Sequence, residues 1–275
     1  MLDIKQIESF YPEPLRAFKK NLLREYLQYK ILEIIFDSEF GNKLSFMGGT
    51  AIRIIHSNTR FSEDLDFDNL GIDKKDFEKL TELIQRKLKL EGYLIEIKNT
   101  FRSAYRSYIM IPHILYESGI SGYKQEKLLV QVDTEPQEFT YNPDKVIINK
   151  FDIFLKINVV PVDILLSQKI YAIFKRKRVM GRDFYDVIFL LAKTKPNLDY
   201  LRLKLEIKDE NDLKNKLLWR CKEFDFKKLS QEVNPFLFTS GEAKKILLFK
   251  EYIQKSSPFE GRRVEEEDGF PFARE

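Results

Sequence analysis

Apolar residues follow two different spacings along this chain. Helical spacing runs through 14–36 and 73–90, where Pro14 marks a start and Gly92 an end. Alternation of period two, typical of strands with one buried face, occupies five segments: 64–68, 93–98, 103–111, 127–134 and 151–160. Helical spacing returns after Asp163 and continues to about residue 253. The pattern predicts an α/β (α+β) protein that ends in helices.

The sequence also suggests two boundaries between domains or segments. At 275 residues with 43% hydrophobic content it is long enough for one large domain or two ordinary ones. Pro196 is a plausible boundary between a domain of residues 1–195 and a helical C-terminal subdomain of residues 196–255. Residues 256–275 turn abruptly charged and rich in Gly and Pro. We expect them to be a flexible tail or a cloning remnant.

A glycine pair links the first apolar strand-like run to a helix. Gly48-Gly49-Thr50 follows Phe46-Met47 and precedes an apolar helical stretch. Two glycines allow a ligand to approach the backbone, and the exposed amides of a new helix attract anions. Thr50 adds a hydroxyl group. The turn alone is a weak signal, but it predicts a phosphate site.

Paired carboxylates follow at short range in Asp64-Leu65-Asp66-Phe67-Asp68. If this segment is a strand, Leu65 and Phe67 enter the core while Asp64 and Asp66 project from the opposite face. Neighbouring carboxylates repel each other unless a cation lies between them. Ligands that are all oxygen favour Mg²⁺, with Mn²⁺ as a substitute. A lone Asp-x-Asp is usually a solvated strand end, but beside the glycine turn it indicates a metal and phosphate site.

Two further aspartates compete for the role of a third carboxylate. Asp133 ends the mostly buried strand LLVQVD, where a carboxylate needs a partner. Asp163 opens a helical segment and is better explained as its N-cap. We therefore favour Asp133 over Asp163.

Lys169 interrupts an otherwise apolar helical stripe. It could snorkel to the surface, or it could hold a point charge toward a triphosphate. The run Lys175-Arg176-Lys177-Arg178 is either a solvated face or a contact for a triphosphate or an RNA backbone. Arg182, Asp183 and Asp186 follow at the start of the next helix, where acidic residues are ordinary capping chemistry.

Composition excludes several classes of protein. The single cysteine, Cys221, rules out an intramolecular disulfide and any multi-cysteine zinc site. His56 and His113 are too few for a histidine metal site. The sequence has no Gly-x-Ser-x-Gly elbow, so it gives little support to a hydrolase. It also has no signal peptide pattern and no apolar run of membrane length, so we expect a soluble, cytoplasmic protein. The net charge of +4 conceals 47 basic and 43 acidic residues, so local clusters matter more than the total.

Two blocks of this sequence resemble the AbiEii/AbiGii abortive-infection toxins of the DNA polymerase β-like nucleotidyltransferase superfamily. The matching residues are Gly48-Gly49-Thr50, Arg60, Ser62 to Phe67, Lys169, and Arg182 to Asp186. The resemblance covers about residues 20–195 and implies a nucleotidyltransferase fold with a mixed sheet flanked by helices. It also implies a strand carboxylate beside the Asp-x-Asp, for which Asp133 is the best match.

The resemblance further implies a catalytic set and a nucleotide-binding set. Catalysis would fall to Asp64, Asp66, Asp133 and Lys169, with the three aspartates holding Mg²⁺. Nucleotide binding would involve Gly48, Gly49, Thr50, Arg60, Ser62, Lys169, Arg182, Asp183 and Asp186. Asp183 and Asp186 would brace Lys169 or Arg182 and shape the nucleotide pocket.

Three hypotheses for function follow. The first is an enzyme that moves NMP from an NTP to an acceptor hydroxyl. The resemblance points to RNA as the acceptor, with the tRNA 3′ end as a candidate, and to a toxin that a separately encoded antitoxin neutralises in phage defence. Its acceptor could instead be a protein side chain. The second is a catalytically silent module that binds RNA or a partner protein, and the third is a structural subunit.

Overall fold

The computed structural model describes residues 2–255 of the chain. Within that range seven strands form one sheet: β1 (Leu44–Met47), β2 (Leu65–Asn69), β3 (Glu96–Phe101), β4 (Tyr105–Pro112), β5 (Lys127–Glu135), β6 (Asp144–Lys150) and β7 (Ile153–Val159). Their order across the sheet is β3-β4-β5-β2-β1-β7-β6. The predicted tail at 256–275 lies outside the described residues.

Helices accompany the sheet and follow it. Those that precede or alternate with the strands are α1 (Ile4–Ser9), α2 (Lys19–Phe36), α3 (Gly48–His56), α4 (Lys74–Leu90) and α5 (Ile114–Glu117). Those that follow the last strand are α6 (Val162–Lys175), α7 (Gly181–Leu191), α8 (Leu198–Leu205), α9 (Glu210–Arg220), α10 (Phe226–Val233), α11 (Lys244–Leu247) and α12 (Phe249–Lys255). Among residues 2–255, no helix is long and apolar enough to cross a membrane.

The sheet is mixed because its central strands pair in both directions. Strand β2 pairs antiparallel to β1 and parallel to β5, and β1 pairs parallel to β7. The alternation in 64–68 places Leu65 and Phe67 fully in the core, both at 0% exposure. The predicted mixed sheet with flanking helices is confirmed.

Buried apolar side chains form two clusters. One fills the space between the sheet and α2 and α4, and its members extend to Val159. The other begins at Val160 and joins α6 and α7 to the helices that follow, together with Ile52 from α3. The helices α6 and α7, which precede the predicted domain boundary at 195/196, thus pack against helices that follow it. The boundary itself stays a prediction.

Two predicted elements begin later in the structure, and one strand was not predicted. The first long helix begins at Lys19 rather than residue 14, because Pro14 lies in a 3₁₀ turn and Phe18 has a non-helical ψ of 40°. The strand predicted at 93–98 begins at Glu96. Strand β6 was missed because its hairpin with β7 turns at Phe151, which has a φ of 58° and lacks the usual Asn-Gly signal. Edge-to-face contacts with Tyr26 and Tyr29 hold Phe151 in place.

Candidate active site

Register across the sheet brings one residue from each of four strands into a row. Asp66 pairs with Met47 on one side and with Asp133 on the other, and Asp133 pairs with Arg106. Residues that are partners across a ladder project from the same face. Asp66, Asp133 and Arg106 therefore lie side by side at the end of the sheet where α3 begins.

The glycine turn closes this row against α3. Gly48 has a φ of +78°, and a Cβ built on it would lie only 2.2 Å from Asp66 Oδ2. A Cβ on Gly49 would lie 2.6 Å from Arg60 Nη2 and 2.7 Å from Ser62 Oγ. Both positions thus require glycine for close approach. Since no side chain caps α3, its first amides are available to an anion.

The carboxylates of Asp64 and Asp66 are unusual because no residue in the described range donates a hydrogen bond to either. Burial raises the pKa of Asp64 to about 6, and repulsion from Asp66 adds to the effect. Burial also raises the pKa of Asp66, an effect that Lys169 opposes and Asp133 reinforces. Two partly buried carboxylates without donors form an arrangement that a cation would stabilise.

Asp133 is held differently. Arg106 Nε lies 2.9 Å from both of its carboxylate oxygens and Arg106 Nη2 lies 2.7 Å from Oδ2. Gln131 adds a hydrogen bond of 3.0 Å to Oδ2. Across residues 2–255 no three His, Cys, Asp or Glu side chains are arranged to hold a metal ion. The predicted third ligand is thus beside Asp66, as expected, but its oxygens face Arg106.

Lys169 lies within a buried network of charges on α6 and α7. Its Nζ is 2.9 Å from Asp186 Oδ2 and 3.8 Å from Asp183 Oδ1, and its side chain is 10% exposed. Arg176 donates to Asp183 at 2.9 Å. Lys169 does not snorkel freely, because Asp183 and Asp186 brace it.

Arg60 belongs to the same network, and its guanidinium is fully engaged there and is not free to bind a ligand. It donates to both oxygens of Asp186 at 2.7 and 2.6 Å, and it is 1% exposed. Burial alone would raise the pKa of Asp186, but Arg60 and Lys169 outweigh burial and hold that pKa at about 2. Arg60 thus ties the segment before β2 to α7 and shapes the site through Asp186.

The Thr50 hydroxyl is hydrogen-bonded inside the protein, whereas the Arg182 guanidinium is not. The Thr50 hydroxyl is fully buried and donates to the carbonyl of Asp64, so it supports the Asp64 backbone and does not point a hydroxyl at a phosphate. Arg182 lines the cavity next to Gly49 and Asp64 and, within the described residues, makes no hydrogen bond or ion pair. Of the two cations that Asp183 and Asp186 were expected to brace, Lys169 or Arg182, the structure has Lys169, together with Arg60 and Arg176.

Asp163 is neither a site residue nor the cap that the sequence indicated. Helix α6 begins one residue earlier, at Val162, with Pro161 at the N-cap position. The Asp163 carboxylate accepts a hydrogen bond of 2.8 Å from Asn197 Nδ2. Asp163 therefore anchors the segment before α8.

Two cavities meet over the row of charged residues. The larger, of about 450 Å³, extends over Met47, Gln137, Gln168 and Tyr171. The smaller, of about 210 Å³, is lined by Gly49, Ser62, Asp64 and Arg182. Both share a set of charged side chains: Asp66, Asp133, Lys169, Arg106 and Arg176. The smaller cavity has the size and charge for phosphates, and the larger has room for a nucleoside.

Sequence reasoning did not identify Arg106, Gln137 or Tyr171. Arg106 reads as one polar residue among several on a strand, and only the β4–β5 register puts it opposite Asp133. Gln137 donates its backbone N–H to Asp68 at 2.9 Å, in a segment without a sequence pattern. No local signal would have found these residues.

Known proteins share this architecture. JHP933 from Helicobacter pylori matches with a TM-score of 0.51 at 20% identity, over 86% of this chain and 92% of that one. A candidate nucleotidyltransferase from H. pylori matches with a TM-score of 0.52 at 18% identity, over 85% of this chain and 94% of that one. At such identities the likeness concerns the fold alone. No curated protein matches the chain.

A family model provides the assignment that the structural likeness cannot. The model described as nucleotidyl transferase AbiEii toxin, Type IV TA system, matches residues 30–260. This range contains the glycine turn, the row of charged residues and the buried network of Arg60, Lys169, Asp183 and Asp186, here called the bracing network. The chain belongs to the AbiEii family of nucleotidyltransferase toxins.

Proposed function

We propose that this nucleotidyltransferase uses Mg²⁺ to move NMP from an NTP to a hydroxyl group of RNA, with the tRNA 3′ end as the first candidate. The observation that carries the proposal is the pair Asp64 and Asp66. Both are partly buried carboxylates without hydrogen-bond donors in the described range, and both face cavities rich in cations.

The donor set fits a divalent cation at Asp64 and Asp66. Both residues offer only oxygen ligands, which suit Mg²⁺ and Mn²⁺. Asp133 fits less well in this conformation, because Arg106 holds its oxygens. A bound cation would offset charge on the phosphate oxygens during transfer.

The triphosphate belongs in the smaller cavity. The amide of Gly49 lies at the start of α3, where the helix dipole favours an anion. Arg182 contributes a guanidinium that makes no hydrogen bond or ion pair in the described range, and Lys169 and Arg176 contribute charges at the border of both cavities. These groups position the phosphates and neutralise charge that develops on them.

The reaction needs no covalent intermediate with the protein. The acceptor oxygen forms a bond to the α-phosphorus while the bond from that phosphorus to the oxygen that bridges it to the β-phosphorus breaks. Pyrophosphate leaves, and the hydroxyl proton passes to solvent. The residues of the site act by holding the two reactants in line.

RNA is the favoured acceptor because cations extend from the cleft. Lys175 lines the larger cavity and Lys177 follows it on the surface. Neither lysine has an ion-pair partner among residues 2–255, whereas Arg178 pairs with Glu232 at 2.7 Å. Unpaired surface cations next to a cleft suit a phosphodiester backbone.

The test incubates the protein with each labelled NTP, Mg²⁺ and either total RNA or a protein extract. Wild type should label RNA, and Asp66→Asn should not. Asp68→Asn is the matched control, because Asp68 lies two residues along the same strand and is already bound by Tyr141 at 2.8 Å. Label on protein would redirect the proposal to a side-chain acceptor. No label that depends on Asp66 would favour a silent binding module.

The proposed biological role is a toxin that arrests growth during phage defence and that a separate antitoxin neutralises. The family description, a Type IV toxin–antitoxin system, supports this role. Expression of wild type should arrest growth, and expression of Asp66→Asn should not. If both arrest growth equally, toxicity does not require nucleotidyl transfer.

A further inference from the structure

Arg106 holds the carboxylate that the proposed metal site would need as its third ligand. Arg106 makes three contacts of 2.7–2.9 Å with the two oxygens of Asp133, and these are the atoms that a cation would use. The pair is built into the sheet, because the two residues are register partners on β4 and β5.

This ion pair differs from the structural ion pair nearby. Arg60 and Asp186 are 1% and 0% exposed, so neither could part without leaving a buried charge. The Arg106 side chain is 41% exposed and that of Asp133 is 16% exposed. An ion pair so open to water adds little to stability, because water screens its attraction. Arg106 also lines both cavities, which a purely structural contact would not require.

We propose that Arg106 is a positioning residue that occupies the place of a metal at Asp133 and releases this carboxylate when a divalent cation binds at Asp64 and Asp66. The inference rests on the proposed function, because that function supplies the cation. A doubly charged ion next to Asp66 repels the guanidinium and attracts Asp133. The exchange removes Arg106 from the carboxylate and completes a set of three oxygen ligands.

The released guanidinium remains at the junction of the two cavities. Its planar fork matches the geometry of phosphate oxygens better than an ammonium group does. Arg106 would then contact a phosphate of the bound NTP. The same side chain would thus neutralise Asp133 without the metal and help to bind substrate when the metal is present.

The test measures Mn²⁺ binding by loss of the free-ion EPR signal, without nucleotide or RNA. Arg106→Gln should bind Mn²⁺ about fivefold more tightly than wild type, the scale expected when one partly exposed ion pair no longer competes. Arg176→Gln is the matched control. Arg176 also lines both cavities and is 44% exposed, but it pairs with Asp183 instead of Asp133.

Two further variants separate competition from a general change in charge. In an Asp133→Asn background, Arg106→Gln should no longer tighten Mn²⁺ binding. Arg106→Lys keeps the charge but loses the fork, so its Mn²⁺ affinity should fall between those of wild type and Arg106→Gln. Circular dichroism and thermal unfolding confirm that each variant is folded.

The inference is overturned if Arg106→Gln binds Mn²⁺ no more tightly than Arg176→Gln, or if the gain persists with Asp133→Asn. A purely structural role for Arg106 would weaken metal binding, which is the opposite sign. Label transfer from NTP is scored separately. Transfer that depends on Asp66, together with unchanged Mn²⁺ affinity in Arg106→Gln, would leave the proposed function standing and remove this inference alone.

Discussion

Replacing Gly48 by alanine tests whether the glycine turn exists to let Asp66 reach its position. The new Cβ would lie 2.2 Å from Asp66 Oδ2 and 2.8 Å from Asp66 Cβ and Cγ, well inside van der Waals contact. The backbone φ of +78° adds strain for any residue with a Cβ. Either the turn or the Asp66 carboxylate must move.

The expected magnitude has two parts. Left-handed backbone costs a non-glycine residue about 1–2 kcal/mol, which corresponds to a fall of about 2–8 °C in Tm for a protein of this size. Displacing a group that positions the reactants by about 1 Å costs about 100-fold in rate. Gly48→Ala should therefore lose modest stability but most of its nucleotide transfer.

Gly119→Ala separates these two effects. Gly119 has a φ of +67°, close to that of Gly48, but a Cβ there would meet nothing within 4 Å. This control should lose similar stability and keep its transfer activity. The assay is label transfer from NTP to RNA, with thermal unfolding of each variant. If Gly48→Ala transfers label as fast as Gly119→Ala, the position of Asp66 does not control the reaction.

Further predictions concern the bracing network, acid, metal and RNA. Asp186→Asn should cost about 3–5 kcal/mol in urea unfolding, because it leaves Arg60 and Lys169 without their buried partner, whereas Asp199→Asn, in a surface pair, should change little. Because folding lowers the pKa of Asp186 from 3.8 to about 2, its contribution is complete above pH 3.8 and is lost as pH falls toward 2; acid titrations should show the gap between wild type and Asp186→Asn narrowing there. EDTA should abolish label transfer, and added Mg²⁺ should restore it. The double variant Lys175→Gln/Lys177→Gln should make the negative slope of the log RNA-binding constant against log salt concentration shallower by about 1–2.

The bracing network explains how parts of the chain that are distant in sequence form one site. Arg60 precedes β2, Lys169 lies on α6, and Asp186 on α7 contacts both. Asn58 adds a hydrogen bond of 2.9 Å to the same carboxylate. A fully buried carboxylate with three donors fixes its surroundings firmly, because any displacement would leave charges without partners. The network therefore fixes Lys169 at the border of the cavity in which we propose that the triphosphate binds.

The sequence by itself determined the local features of the site. The two-residue period of 64–68 identifies Leu65 and Phe67 as core residues, and the glycine pair marks the turn into α3, because both signals depend on a few adjacent residues. Helix α4 lies within a residue of its predicted bounds for the same reason, since the Asp73 carboxylate caps it by accepting a hydrogen bond from the Asp76 amide. The period of 64–68 does not account for Asp68, which is only 2% exposed because the segment around Gln137 and Tyr141 covers it.

The tertiary structure alone decided how these features combine. Parallel pairing of β2 with β5 puts Asp133 beside Asp66, and the β4–β5 register puts Arg106 on Asp133. Neither pairing follows from a tight turn, so no short segment encodes its register. The sequence could propose three carboxylates for a metal, but it could not reveal that an arginine from the next strand already holds one of them.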